Sequence, residues 1–148
     1  MLNQFSRTEL LLGKEAMNKL ENSRVAVFGI GGVGGYVCEA LVRSGVGTFD
    51  LIDDDKVCLT NLNRQIIANR KTVGQYKTEV MRDRILDINP KADVRIHNCF
   101  YLPENAADNR SPCLLCTHDQ FNLRSHCVHS IYHIIILTKI EISSILRK

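Results

Sequence analysis

Residues 24–35 read RVAVFGIGGVGG, a short apolar run that leads directly into a glycine-rich segment. The run from Arg24 to Phe28 holds β-branched and aromatic residues, which is typical of a buried strand. Gly29, Gly31 and Gly34 follow with the spacing G-x-G-x-x-G, which marks a tight turn between a strand and a helix. Such glycines let the backbone approach phosphates, and the start of the next helix offers unpaired N–H groups to an anion. The segment therefore predicts a nucleotide-binding turn rather than a purely structural one.

The segments around this turn predict an alternation of strands and helices. Two short helices, at residues 8–13 and 14–22, are expected before it. After it the sequence predicts a helix at 36–44, a strand at 48–52, a helix at 77–88 and a strand at 94–96. Strand–helix–strand–helix–strand order implies an α/β fold, a Rossmann-like parallel sheet with flanking helices and right-handed crossovers.

Acidic and basic residues after the second predicted strand narrow the choice of nucleotide. Asp53 lies 19 residues beyond Gly34 at the end of that strand, where a carboxylate can accept hydrogen bonds from ribose hydroxyls. A nicotinamide-dependent oxidoreductase would use the same turn, but it leaves the cations that follow unexplained. Arg64 and Lys77 can neutralise phosphate oxygens and a departing pyrophosphate, and Asp55 can help to hold Mg²⁺. These residues favour ATP over NAD.

Bulk composition is ordinary for a globular domain. The chain has 148 residues, 45% of them hydrophobic, and a net charge of +3, too small to indicate nucleic-acid binding by itself. The start shows no secretory signal, and the apolar run from Ile134 to Leu137 is far below the ~18 residues of a membrane span. We therefore expect a cytoplasmic protein without a membrane anchor, whose six cysteines are thiols.

The composition changes near Arg110. Residues 1–110 carry regular elements, whereas 111–148 form a divergent tail rich in cysteine, histidine and isoleucine. Because the tail lacks the packed aromatic and the basic helix of a zinc finger, we interpret its zinc-like spacing as a coincidence, with a zinc-binding tail as the alternative. The residues with that spacing are Cys113, Cys116, His129 and His133.

In these motifs the sequence resembles the ThiF/HesA/MoeB superfamily, the ubiquitin-activating-enzyme-like adenylating enzymes. The sequence of residues 58–66 looks most like that of the branch that dehydrates threonylcarbamoyladenosine in tRNA. The resemblance covers residues 1 to about 110, and no fourth strand or Asp-x-x-Asp element is predicted beyond that point. The matching stretches are Phe5-Ser6-Arg7, residues 29–34, residues 51–55, residues 61–65, residues 73–77 and Ile88-Asn89-Pro90.

The resemblance implies a reaction in which a substrate carboxylate attacks the α-phosphate of ATP and pyrophosphate leaves. In the tRNA branch the activated group then cyclises with net loss of water. It also implies a homodimer, tRNA as the substrate, and a sulfur-carrier protein or a cysteine desulfurase as a further partner. Since the match ends early, the adenylation domain is expected to be truncated, and a non-catalytic nucleotide-binding remnant is the alternative.

The resemblance also assigns roles to individual residues. It implies that Arg64, Lys77 and Arg7 act in the reaction, with Arg7 reaching into the site of a partner subunit. The residues implied to bind ATP and Mg²⁺ are Gly29, Gly31, Gly32, Gly34, Asp53, Asp55, Asn61, Arg64 and Lys77.

Overall fold

The computed structural model of the chain describes residues 3–100 and the backbone of residues 114–116. Within them, four parallel strands form one sheet in the order β3-β2-β1-β4. Helices flank the strands, so the predicted α/β, Rossmann-like fold is confirmed. The strands are β1 (Arg24–Phe28), β2 (Thr48–Ile52), β3 (Asp93–His97) and β4 (Leu114–Cys116). The helices are α1 (Ser6–Leu12), α2 (Lys14–Glu21), α3 (Gly34–Ser44), a 3-10 helix (Leu59–Asn63) and α4 (Lys77–Ile88).

One face of the sheet packs against α3 and α4 and forms the main core. Alternate residues of a strand point to opposite faces, so every second residue of β1 and β2 faces these helices. Burying side chains of this size stabilises the fold by roughly 1.5–3 kcal/mol for each large aliphatic or aromatic group. The buried residues at the centre are Val25, Val27, Phe49 and Leu51 of the strands, Cys38 and Val42 of α3, and Met81 and Ile85 of α4.

The opposite face of the sheet combines a small apolar cluster with a partly buried ion pair. Ala26, Phe28 and Ile52 form the apolar cluster. Arg24 Nε and Nη2 donate to the two carboxylate oxygens of Asp50 at 2.7 and 2.9 Å. Because Asp50 is buried in the middle of β2, this two-pronged contact compensates a charge that would otherwise be costly to bury.

Strand β4 was not predicted from the sequence. It lies within the segment predicted as a divergent tail, and it pairs with β1 from Ala26↔Leu114 to Phe28↔Cys116. Three residues are too few to show a strand periodicity, so only pairing with β1 identifies them. With β4 in place, β1 becomes an interior strand. Chain order then reverses between β1 and β4, the position where open α/β sheets bind ligands. The domain boundary near residue 110 stays a prediction.

Two further predictions concern the tail and the membrane. The cysteines and histidines with the zinc-like spacing lie outside the described residues, except for the backbone of Cys116. In the part of the chain that the structure describes, no helix has the length and apolar character needed to cross a bilayer.

Candidate functional site

The glycine turn lies at the carboxyl edge of the sheet. Gly29 has a φ of 84°, a left-handed conformation that favours glycine, and its N–H donates to the carbonyl of Ile52 at 2.8 Å. Helix α3 begins at Gly34, directly after the turn. The turn therefore lies at the carboxyl end of β1, between the neighbouring strands β2 and β4. The amino end of α3 begins at this turn.

Asp53, the first residue after β2, is fixed against this turn. It is 1% exposed, and its Oδ2 accepts the N–H of Ile30 at 2.5 Å while its Oδ1 accepts the N–H of Asp55 at 2.8 Å. Burial raises the pKa of Asp53, and these two hydrogen bonds and the charge of Lys77 oppose that rise. Two backbone N–H groups of the chain thus hold the predicted ribose-binding carboxylate in one orientation.

Lys77, the first residue of α4, is connected to the turn through the acidic residues. Its Nζ lies 2.6 Å from Asp55 Oδ2 and 3.9 Å from Asp53 Oδ1. The residue is 5% exposed, so its ammonium group is held in place rather than free in solvent. A cation on a flexible stem next to an anion-binding turn can move from a carboxylate to a phosphate oxygen over a short distance.

The side chain of Arg64 lies beside the glycine turn, next to Gly32. Its Cγ and Cδ are 3.8 Å from the position that a Cβ on Gly32 would occupy, an ordinary van der Waals contact. Its Nη1 donates to the carbonyl of Thr60 at 3.3 Å and to Asn63 Oδ1 at 3.0 Å. The structure therefore brings together the glycine turn, Asp53, Arg64 and Lys77, as the sequence predicted, while their roles in binding and catalysis stay predictions.

Asn61, predicted to contact the triphosphate, has a structural task in the loop. Its Oδ1 accepts the N–H of Cys58 at 3.0 Å, and the Cys58 sulfur accepts the N–H of Asn61 in return. This reciprocal pair closes the start of the 3-10 helix that carries Arg64. A contact between Asn61 and a phosphate would have to come from its side-chain NH₂ group.

Arg7 lies apart from the other predicted site residues. It is exposed on α1, whose neighbour Phe5 lies 3.7 Å from the position of a Cβ on Gly45. Gly45 precedes β2, so α1 lies at the amino edge of the sheet, whereas the glycine turn follows the carboxyl end of β1. Arg7 therefore lies at the opposite edge of the sheet from the glycine turn, and its predicted role would need a partner subunit.

The carboxylates of Asp53, Asp54 and Asp55 form a compact acidic group at the same edge. Their ligand atoms lie within 4.8 Å of one another, and Asp54 and Asp55 are exposed. Hard oxygen donors at a phosphate site suit Mg²⁺, which is usually bound through one or two carboxylates together with waters and phosphate oxygens. The donor set present is therefore compatible with the Mg²⁺ implied by the resemblance.

Sequence reasoning missed the backbone groups that orient Asp53 and Arg64. Ile30 contributes a backbone N–H, and Thr60 a backbone carbonyl, neither of which a side-chain motif can reveal. Asn63 lies within the matching stretch of residues 61–65, but no role was predicted for its side chain. The pairing of Cys58 with Asn61 has no such signal either, because cysteine is not among the residues that typically cap the start of a helix.

The two described cysteines near this site differ in the reactivity expected of them. Cys58 is exposed, and a hydrogen bond with Thr60 Oγ1 at 3.0 Å is the main cause that lowers its pKa. Cys38 is fully buried, and burial raises its pKa to about 12. Because the thiolate is the reactive form, we expect iodoacetamide at neutral pH to alkylate Cys58 well before Cys38. Peptide mass spectrometry over time measures both rates, with the urea-unfolded chain as the control. Equal rates in the folded chain would contradict this prediction.

A parallel sheet with a glycine turn at its switch point, a fixed carboxylate and two cations is the arrangement of a nucleotide-binding Rossmann-like domain. Comparison with known families specifies it further. The model of the ThiF family matches residues 5–132, and the chain belongs to that family. The match extends past residue 110, where the resemblance was expected to end, and it includes β4.

Individual relatives agree with the family assignment. The chain is 54% identical over 104 residues to the tRNA threonylcarbamoyladenosine dehydratase of Bacillus subtilis, covering 70% of this chain and 41% of that protein. Identity to the Escherichia coli protein of the same name is 45% over 108 residues, covering 73% and 40%. The crystal structure of the E. coli enzyme in complex with ATP superposes with a TM-score of 0.75 at 42% identity, covering 78% of this chain and 49% of that one. The chain thus spans about two fifths of the length of these curated relatives.

Proposed function

We propose that the chain carries the ATP-binding part of an adenylating enzyme that acts on threonylcarbamoyladenosine in tRNA. A carboxylate oxygen of the modified nucleoside attacks the α-phosphorus of ATP. The bond between that phosphorus and the oxygen leading to the β-phosphate breaks, and pyrophosphate leaves with its electron pair. The acyl adenylate then cyclises with loss of AMP, so that the nucleoside loses one water overall. The alternative of a non-catalytic nucleotide-binding remnant differs only in lacking this reaction.

One observation supports this proposal above the others: two cationic side chains meet the glycine turn. Arg64 passes within 3.8 Å of the position that a Cβ on Gly32 would occupy, and Lys77 Nζ lies 3.9 Å from Asp53, which accepts the N–H of Ile30 in the turn. A dinucleotide contains one pyrophosphate and needs no cation pair there, whereas ATP carries about four negative charges near neutral pH and must release pyrophosphate. Fixed cations stabilise charge that develops on the leaving group, usually the largest single contribution to such catalysis.

The remaining residues have complementary tasks in this proposal. Gly29, Gly31, Gly32 and Gly34 bring backbone N–H groups to the phosphates, and Asp53 accepts hydrogen bonds from the ribose hydroxyls. Asp55, whose side chain is 66% exposed, would share in holding Mg²⁺, which supplies charge neutralisation to the phosphates when it is bound.

We also propose that the active form is a homodimer in the cytosol. Helix α1 buries none of its own residues, and Leu10 and Leu11 are 86% and 85% exposed. A seven-residue helix is not stable alone in water, so a covering surface would explain why it forms. Arg7 precedes Leu10 by three positions and Leu11 by four, which puts all three on one face of the helix. Covering that face with a second copy would carry Arg7 to the partner's site. A sulfur-carrier protein or a cysteine desulfurase is proposed as a further partner.

The proposal is tested with the chain itself, ATP, Mg²⁺ and tRNA that carries threonylcarbamoyladenosine. We expect exchange of labelled pyrophosphate into ATP that depends on the modified tRNA. ATP binding without exchange would support the non-catalytic remnant instead. Thermal stabilisation by NADH but not by ATP would contradict the proposal in favour of an oxidoreductase.

A further inference from the structure

The guanidinium of Arg64 is held by two neutral acceptors. Its Nη1 donates to Asn63 Oδ1 and to the Thr60 carbonyl, and neither group carries a charge. Within residues 3–100, no carboxylate lies within 4.0 Å of Arg64, so its positive charge is not cancelled by an ion pair there. This differs from the arginines that the same region pairs with acids, which are Arg24, Arg43, Arg82, Arg84 and Arg95.

We propose that Asn63 is a positioning residue that orients Arg64 over the glycine turn while leaving its charge available to a polyphosphate. This inference rests on the proposed function, since it explains how one of the two cations is prepared for ATP. Arg64 is exposed, and its long side chain would otherwise sample many orientations. The hydrogen bonds to Thr60 and Asn63 restrict it to the side of the turn where Gly32 lies, within 3.8 Å of the position of a Cβ on that glycine.

The neutral character of residue 63 is the essential part of the inference. An aspartate at this position is nearly the same size and would accept the same hydrogen bond more strongly, since bonds to charged acceptors are stronger. It would therefore orient Arg64 at least as well as asparagine does. However, it would cancel the arginine charge and place a negative group beside the phosphates. If only the orientation of Arg64 matters, Asn63→Asp should bind ATP at least as well as the unmodified chain. If the charge of Arg64 matters as well, Asn63→Asp should bind ATP more weakly.

The experiment compares Asn63→Asp and Asn63→Ala with the unmodified chain. Dissociation constants for ATP, ADP and AMP are measured by isothermal titration calorimetry at low and at physiological salt. For Asn63→Ala we expect ATP binding to weaken by about threefold, the size of a lost exposed contact. For Asn63→Asp we expect ATP binding to weaken by about tenfold or more at low salt. The loss of affinity is expected to be smaller for ADP and smallest for AMP.

A matched control is available in the next loop. Asn69 is exposed, and its Oδ1 accepts backbone N–H groups of Lys71 and Thr72. Asn69→Asp therefore makes the same change of net charge without a contact to Arg64, and we expect ATP affinity within about twofold of the unmodified chain. Thermal unfolding of all variants is recorded in parallel, and Asn63→Asp is expected to melt within about 2 °C of the unmodified chain.

The outcomes separate this inference from the proposed function. If the unmodified chain binds ATP and Asn63→Asp binds it as well as Asn63→Ala or better, Asn63 has a merely structural role and the inference is wrong. If the chain binds no ATP but binds inorganic tripolyphosphate, with the same loss in Asn63→Asp, the inference holds and the proposed function fails. Failure to bind either ligand would overturn both.

Discussion

Lys77→Ala is expected to lower the rate of tRNA-dependent ATP–pyrophosphate exchange by roughly 10²- to 10³-fold, the usual cost of removing one preorganised group that stabilises transition-state charge. The Nζ of Lys77 is held near Asp53 and Asp55 at the edge that carries the glycine turn. From there it can meet the oxygens of the departing pyrophosphate as charge develops on them. The ATP dissociation constant is expected to change much less than the rate, because the contact is strongest in the transition state.

Lys71→Ala is the matched control for this prediction. Lys71 is an exposed lysine in the loop before α4, and its removal changes the net charge of the chain by the same amount. Its exchange rate and its ATP affinity are expected to match those of the unmodified chain. A Lys77→Ala chain that exchanged pyrophosphate at the unmodified rate would show that this lysine has no part in the reaction.

Gly47→Ala is expected to destabilise the fold by about 3 kcal/mol or more, as overpacking against immobile backbone does. A Cβ on Gly47 would overlap the carbonyl oxygen of Glu21 and lie 2.9 Å from its carbonyl carbon. Neither segment can move easily. The N–H of Gly47 donates to the carbonyl of Leu20 at 3.3 Å, and its own carbonyl accepts the N–H of Asp93 at 2.9 Å. Urea unfolding followed by circular dichroism measures the loss.

Gly32→Ala serves as the comparison for the unfolding experiment. A Cβ there meets only the Arg64 side chain, at 3.8 Å or more, and Gly32 has no positive φ. We expect the same urea midpoint as the unmodified chain, within about 0.5 kcal/mol in the free energy of unfolding. We also expect weaker ATP binding, because the new methyl group meets the side chain of Arg64. An unchanged midpoint for Gly47→Ala would show that the contact with Glu21 relaxes without cost.

Much of the fold could be predicted because its signals are local. The predicted bounds of β1, β2 and α4 agree with the structure, since glycine, proline and aspartate mark the ends of these apolar runs. The position of Asp53 also followed from the sequence, because the length of one strand–helix–strand unit brings residue 53 back to the turn. The juxtaposition of Arg64 and Lys77 with that turn was predicted from charge and from the resemblance.

Other features depend on contacts between distant residues and could not be predicted from local pattern. Strand β4 is defined by its pairing with β1 across more than eighty residues of chain. The location of Arg7 at the opposite edge of the sheet depends on how α1 packs beside Gly45. The neutral environment of Arg64 depends on a backbone carbonyl and on one amide orientation, neither of which residue type alone determines.

The central claim is that two cations converge on a polyphosphate held by the glycine turn, and the double variant Arg64→Ala/Lys77→Ala tests it most directly. Isothermal titration calorimetry with ATP and with AMP separates the outer phosphates from the rest of the nucleotide. We expect ATP affinity to fall by about 100-fold, as two charge-assisted contacts are lost, and AMP affinity to change by less than about threefold. Unchanged ATP affinity, or an equal loss for AMP and ATP, would contradict the claim.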